Sequence, residues 1–457
     1  MMNLFSAETY QTRRNLLKKK LGAGKLLFLG NGQSAMNYPS NHFPYRQDST
    51  FLYFFGLDKP GLAAIIDIAN DEEVIFGDEL TLDDIVWEGP HPTLTEMASL
   101  VGVQKVKRLS ELQSTVDDDV LYLPPYRGEN RIWLSELTGQ SIAWLDRHYS
   151  PALIEAIVEI RSVKEEQEIA QLHDAVSISA DMHLTAMQMA RPGLKESDIV
   201  GALINVAASK GHFYAFPPIV TINGQTLHNH YYGNELESGR LLLCDSGAEN
   251  SFHYAGDMTR TFPVDKKFDT RQREIYSIVL DALKASAERA KAGIQNLQIH
   301  TEAATIIFDG LKALGLTKGN TEEAVQSGAH ALFFPHGLGH MMGLDVHDME
   351  DYGEDYVGYG KELSRSTTFG FNALRLGRTL QEGFVLTIEP GIYFIPELLE
   401  QWKAKKQHES FLNYAAIEKY LDFGGIRLEN DYFISSEGAK LLGKPLPVEI
   451  EDVENVR

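Results

Sequence analysis

The sequence predicts two domains: an α/β domain over residues 1–160, followed by an α+β domain over residues 161–457. Three observations carry this reading. The chain has 457 residues, which is long for one ordinary domain and comfortable for two. Its first third alternates strand-sized apolar runs with helical stretches. Near residue 160 that texture gives way to a long amphipathic run, and beyond it acidic residues are set inside apolar, strand-like segments.

In order along the chain, AETYQTRRNLLKKKL reads as an opening helix, and KLLFLGN, LAAIIDI, EEVIFGD and DVLYLPP read as strands. The run EIRSVKEEQEIAQLHDAVSISADMHLTAMQMARPG reads as one long amphipathic helix stopped by Pro192-Gly193, with the domain boundary just before it. In the second domain GRLLLCDSGAE, GDMTRTFPV, GFVLTIEPGIYF and GIRLENDYFIS are β-rich. Helical segments such as TRQREIYSIVLDALKASAERAKAG separate them. Residues 351–371, rich in Gly and Tyr, are expected to form a long loop. No repeat of 20 to 50 residues and no low-complexity tract interrupts the pattern.

Composition narrows the functional classes. Lys plus Arg number 42 against 64 Asp plus Glu, a formal charge of -22. Such a surface repels nucleic acid and anionic membranes and suits neutral or cationic small partners. The N-terminal MMNLFSAETYQTRRNLLKKK lacks the apolar core of a signal peptide, and the longest apolar run, GLAAIIDIAN, is strand-sized. A single cysteine, Cys244, excludes an internal disulfide and points to the cytoplasm. GAGKLLFLGNGQ only faintly suggests a phosphate loop, because it lacks Ser or Thr after Lys25 and the glycine spacing.

Four acidic residues stand out: Asp245, Asp257, Glu389 and Glu429, each in an apolar run close to Gly or Pro. A carboxylate within a strand is costly unless it is paired or bound to a metal. One such residue would read as a strand end; four call for a common cause. Asp245 and Asp257 flank SGAENSFHYAG, a turn region, so a hairpin is expected to bring them face to face with a cation between them. LFFPHGLGHMMGLDVHDME places His336, His340 and His347 within twelve positions. Carboxylates with His340 as the imidazole form an oxygen-rich donor set without thiolate. Mn²⁺, Co²⁺, Fe²⁺ or Zn²⁺ suits it, and it has ligands enough for two ions.

Taken together, DSGAE, GDMTRTF, HGLGHMMGLDVHD, TIEPGIYF and GIRLEND resemble, in order and spacing, the aminopeptidase P and prolidase family of pita-bread metallopeptidases. FPYRQDSTFLYFFGLDKPG resembles that family's N-terminal domain, so the resemblance spans nearly the whole chain. It implies an α/β N-terminal domain, a pita-bread catalytic domain and two divalent ions, with Mn²⁺ favoured. The implied ligands are Asp245, Asp257, His340, Glu389 and Glu429, with Asp257 and Glu429 as bridges. All five are intact, which argues against a creatinase-like or purely binding relative.

The same resemblance gives His347 and His230 as histidines facing the substrate. Glu389 is expected to carry the proton between water and the leaving proline nitrogen, the alternative being that it serves only as a metal ligand. His336, Arg375 and Arg427 are the expected substrate-side and supporting residues. His336 reads equally as a packed core histidine, and His228, which shares a strand face with His230, has no clear counterpart. The expected substrates are peptides with proline at the second position, the expected assembly a homodimer or homotetramer. Within the family, Xaa-Pro aminopeptidase is favoured by the FPYRQDSTFLYFFG opening. The dipeptide-specific prolidase is the alternative, on an insertion near residues 395–424 and on Arg375, which falls where prolidases keep an arginine for the dipeptide carboxylate.

Overall fold

The computed structural model describes residues 3–210, 213–361 and 363–457. It divides into two compact units, Met1–Arg161 with Asp351–Gly353 and Ser162–Glu350 with Glu354–Arg457.

The first unit is built on a five-stranded sheet in the order Lys105–Lys107, Glu72–Phe76, Ala63–Asp67, Lys25–Leu29, Leu121–Tyr122. The three middle strands are antiparallel and the two edge strands pair parallel to their neighbours. DVLYLPP yields only Leu121–Tyr122, because Pro124 and Pro125 offer no N–H to the ladder. Leu27, Ile65, Val74 and Phe76 pack with Leu134 and Leu145 as its core. The opening helix spans Ala7–Leu21, with Ser6 accepting from Thr9 N at its start and Gly22 at φ 74° at its end. Its fully buried Arg14 is matched on every side, by Glu73 at 2.8 Å and by the carbonyls of Phe54 and Val101. The segment DSTFLYFF becomes the buried helix Ser49–Phe55, capped by the Asp48 side chain.

The expected single helix is two: Pro151–Ser162 ends the main segment of the first unit, and Glu166–Met189 begins the second. The chain leaves helical geometry at Val163, and the Lys164 N–H goes to Gly383 O at 2.8 Å. A fresh N-terminus then starts at Glu165, whose N–H donates to the Glu168 carboxylate at 3.1 Å. The second helix ends at Met189 rather than at Pro192, as the restricted conformation before proline requires. Among the described residues every strand pair in this unit is antiparallel, which makes it α+β. Leu241–Ser246 lies between Met258–Pro263 and Ile219–Thr221; Asn430–Ser435 lies between Val385–Ile388 and Gly438–Leu441; Gly391–Tyr393 pairs with Gly425–Arg427. Helix Glu166–Met189 backs the first sheet, and helix Thr270–Arg289 backs the strands of the other two.

Residues 351–371 are not plain loop. They carry the end of a 3₁₀ turn, Glu350–Tyr352, and a π turn, Asp355–Tyr359; residue 362 lies outside the described residues. Among the described residues no helix is long and apolar enough to cross a membrane.

Candidate metal centre and active site

The four strand-borne acids sit where strands begin or end. Asp245 is the fifth residue of Leu241–Ser246, and Asp257 directly precedes Met258–Pro263. Glu389 directly follows Val385–Ile388, and Glu429 lies between Gly425–Arg427 and Asn430–Ser435. The two aspartates do not oppose one another as a simple hairpin predicts. Asp245 pairs with Thr259, so Asp257 is its diagonal neighbour on the same face, two residues from Thr259. An isolated bridge from Thr259 to Glu429 brings the second sheet's acid alongside. Cys244 is fully buried on the opposite face, and burial pushes its thiol up to about 12.

His340 enters from the loop between them. Its N–H donates to Thr387 Oγ1 at 3.1 Å, and its carbonyl accepts from Thr387 N at 3.0 Å. Gly339 permits this approach: a Cβ there would stand 2.0 Å from Thr387 O. The bare backbone of the HGLGH glycines is pressed against Thr387 and Leu374.

All five candidate ligands face one cavity of about 330 Å³, together with His228, His230, His336, His347, Arg375 and Arg427. Ligand atoms of Asp257, His340 and Glu429 lie within 4.8 Å of one another. His340 Nε2 is 3.3 Å from Asp257 Oδ2 and 3.8 Å from Glu389 Oε1. Its Nδ1 is 3.1 Å from Met341 O, so Nδ1–H donates to that carbonyl and Nε2 keeps its lone pair for the cavity. Burial, reinforced by neighbouring carboxylates, pushes the Asp257 and Glu429 carboxyls well above the usual range. Burial also raises Glu389, against the pull of His340. Among the described residues Oδ1 of Asp245 and Oδ1 of Asp257 are buried without a hydrogen bond. Crowded, under-satisfied oxygens beside a lone-pair imidazole fit a divalent cation.

A cationic and hydroxylic shell surrounds the acids. Arg427 donates from Nη2 to Asp245 Oδ2 at 2.5 Å, from Nε to Thr259 Oγ1 at 3.1 Å and from Nη1 to Tyr393 Oη at 2.9 Å. Tyr393 Oη lies 2.8 Å from His336 Nε2, while His336 Nδ1 is 2.8 Å from Gly337 O. His336 is therefore both a cavity-wall residue and a tethered one, and burial lowers its pKa to about 3. Thr259 Oγ1 donates to Glu429 Oε2 at 2.6 Å, and Asp431 Oδ2 accepts from Asp257 N at 2.9 Å. Tyr393, Thr259 and Asp431 escaped sequence reasoning. A signal existed: Thr259 and Asp431 each lie two residues beyond an acid already singled out, on the same strand face.

The His347 ring lies 4.0 Å from that of His340. Its Nδ1 contacts the Glu350 carboxylate, and the other oxygen of that carboxylate contacts Arg375 Nη1. Arg375 also reaches Glu354 at 3.2 Å. Burial, with His340 and Arg375 adding to it, holds the His347 pKa far below that of a free imidazole.

A family model described as metallopeptidase family M24 matches residues 170–436. The chain belongs to the M24 metallopeptidase family. A second family model, the aminopeptidase P N-terminal domain, matches residues 10–122. The Xaa-Pro aminopeptidase of Escherichia coli is 31% identical over 474 residues, covering 99% of this chain and 98% of its own. The human Xaa-Pro dipeptidase is 28% identical, covering 94% and 88%. A solved structure of zinc-substituted E. coli aminopeptidase P in complex with product superimposes with a TM-score of 0.81 at 28% identity, covering 99% of this chain and 98% of that one. This M24 protein is a hydrolase with an N-terminal aminopeptidase P-type domain and a pita-bread catalytic domain, and its family and acidic cluster mark it as metal-dependent.

Proposed function

We propose that the protein is an Xaa-Pro aminopeptidase that releases the first residue from peptides with proline in second position. The observation that carries this is the cavity itself, where Asp257, His340 and Glu429 converge beside Asp245 and Glu389. Asp245, Asp257, His340, Glu389 and Glu429 would together hold two divalent ions, Mn²⁺ being the favoured metal. When bound, such ions polarise a carbonyl and bring the pKa of water towards neutrality.

The chain's own groups do the rest. Glu389, its carboxyl raised by burial, is suited to take a proton at neutral pH and return it to the leaving proline nitrogen. That nitrogen belongs to a tertiary amide with no N–H, so the pocket must recognise it by shape. Apolar Phe216, Pro217 and Ile219 in the cavity wall offer such a surface. Arg427 steadies the Asp245 carboxylate, and Tyr393 ties His336 to the same guanidinium. His230 and His347 face the substrate. With Nδ1–H committed to Glu350, a neutral His347 accepts at Nε2; donation to an oxyanion from that ring requires the imidazolium, whereas a neutral His230 can donate.

Arg375 is the reason to prefer aminopeptidase over dipeptidase. Its guanidinium is already matched by Glu350 and Glu354, which weakens its pull on the free carboxylate of a dipeptide. Soluble cytoplasmic residence and a homodimer or homotetramer complete the reading. The deciding experiment compares Ala-Pro with Ala-Pro-Ala after chelation and after adding Mn²⁺. Metal-restored cleavage of the tripeptide supports the proposal; cleavage of the dipeptide alone makes the protein a prolidase, and metal-independent turnover removes the reading altogether.

A further inference from the structure

Glu350 is used by neither the candidate metal cluster nor the cavity wall, yet its carboxylate joins two groups that are. One oxygen contacts His347 Nδ1 and the other contacts Arg375 Nη1. A carboxylate has no proton to give, so His347 must donate from Nδ1. The neutral ring is thereby fixed in one tautomer, with its lone pair on Nε2. The ring also packs against that of His340, with centroids 4.0 Å apart and planes inclined at 51°, which restricts its plane.

The charge balance of Arg375 depends on the same residue. The guanidinium is partly buried, and the acids that contact it are Glu350 and Glu354. Glu354 is shared with Arg365 at 2.7 Å. Removing the Glu350 charge therefore leaves Arg375 with only a divided counter-charge, and its remaining donors become available to an anion entering from the cavity.

We propose that Glu350 is a positioning and specificity-determining residue: it orients His347 and, by occupying Arg375, disfavours substrates whose carboxylate directly follows proline. This inference rests on the Xaa-Pro aminopeptidase reading and extends it by assigning substrate length to an acid three residues beyond His347. The pairs are partly exposed, with Glu350 37% and Arg375 34% accessible, so the length effect is modest, about three- to fivefold, as expected of an ion pair open to solvent. Orientation of a ring by its outer partner has a larger reach, about tenfold or more in rate.

Two substitutions separate the two roles. Glu350→Gln keeps an oxygen that accepts from His347 Nδ1–H but loses the charge on Arg375; Glu350→Ala loses both. The expected result for Glu350→Gln is a kcat on Ala-Pro-Ala within about threefold of the parent and a ratio of kcat/KM for Ala-Pro over Ala-Pro-Ala raised about three- to fivefold. Glu350→Ala should show the same shift in ratio and in addition a kcat lowered about tenfold or more. Nitrogen-15 NMR of the imidazoles, with His347 assigned by its absence in His347→Ala, should report Nδ1–H in the parent and in Glu350→Gln and a mixture of tautomers in Glu350→Ala. An unchanged ratio in both variants overturns the specificity role, and an unchanged tautomer in Glu350→Ala overturns the positioning role. A parent inactive on both peptides would count against the aminopeptidase reading alone, because the NMR result tests the His347 contact without turnover. Unchanged thermal melting in both variants shows that the rate effects are local.

Discussion

Arg427 and Asp245 form a buried ion pair at 2.5 Å in the cavity wall, with the arginine 4% and the aspartate 11% exposed at their side chains. The arginine therefore does two things at once. It neutralises one member of a crowded set of carboxylates, and through Thr259 and Tyr393 it fixes the relative positions of three strands. Removing one partner of such a pair leaves a buried charge exposed to nothing that can stabilise it, and the loss is typically about 3–5 kcal/mol. Arg427→Met in the metal-free protein should be destabilised on that scale in denaturant titration. The double variant Asp245→Asn, Arg427→Met should recover a good part of it. A single variant within about 0.5 kcal/mol of the parent, the usual range for an unimportant site, would show that the pair is not a structural element.

The convergence of Asp257, His340 and Glu429 leads to a second expectation. Substituting Asp257→Asn or Glu429→Gln removes negative charge from this converging set and should weaken metal binding. Calorimetric titration of the chelated protein with Mn²⁺ should give two sites for the parent and weakened or single-site binding for each variant. Two sites of parental affinity in both variants would show that the ligand assignment is mistaken.

His347 and His230 face the cavity without belonging to the converging trio. His347→Ala and His230→Ala should therefore keep parental metal stoichiometry and lose turnover, by about a hundredfold where a donor to developing charge is removed. The measurement is kcat on Ala-Pro-Ala beside elemental analysis of the same samples. A near-parental kcat in either variant takes that histidine out of the mechanism.

Much of this site was legible in the sequence because it obeys strand periodicity. Asp245 and Asp257 stand out as charges within apolar runs, and a residue type that is expensive to bury advertises a reason for being there. The opening helix Ala7–Leu21 was legible for the same kind of reason, with Ser6 and Gly22 as end signals. What escaped depends on partners distant in the chain. At the helix break the Lys164 N–H is paired with Gly383, more than two hundred positions later, and no local pattern announces that partner. Tyr393 sat in plain view within GIYF, but a tyrosine in a β-rich run reads as packing until Arg427 and His336 are found on either side of its hydroxyl. Glu350 reads as a solvated acid until its two contacts are seen.

Two histidines away from the cluster give a pH prediction. His183 and His330 are fully buried, and burial lowers both to about 4. In the native protein each is neutral at pH 6, whereas in the unfolded chain each titrates near the ordinary value of about 6.5. The unfolded state thus binds more protons between about pH 6.5 and about pH 4, so stability falls as the pH drops through that window and is fully retained above it. A depression of that size corresponds to about 3 kcal/mol per ring once the window has been crossed. Titrating carboxylates overlap this range, so the test is a difference. His330→Phe keeps an aromatic ring beside His300 and Phe371 and removes the titrating group. The stability of the parent minus that of His330→Phe should decline by about 2–3 kcal/mol between about pH 7.5 and about pH 4.5, measured by denaturant titration at each pH. A difference that stays flat across that range would mean that His330 is protonated in the native fold and that its burial is offset by a partner.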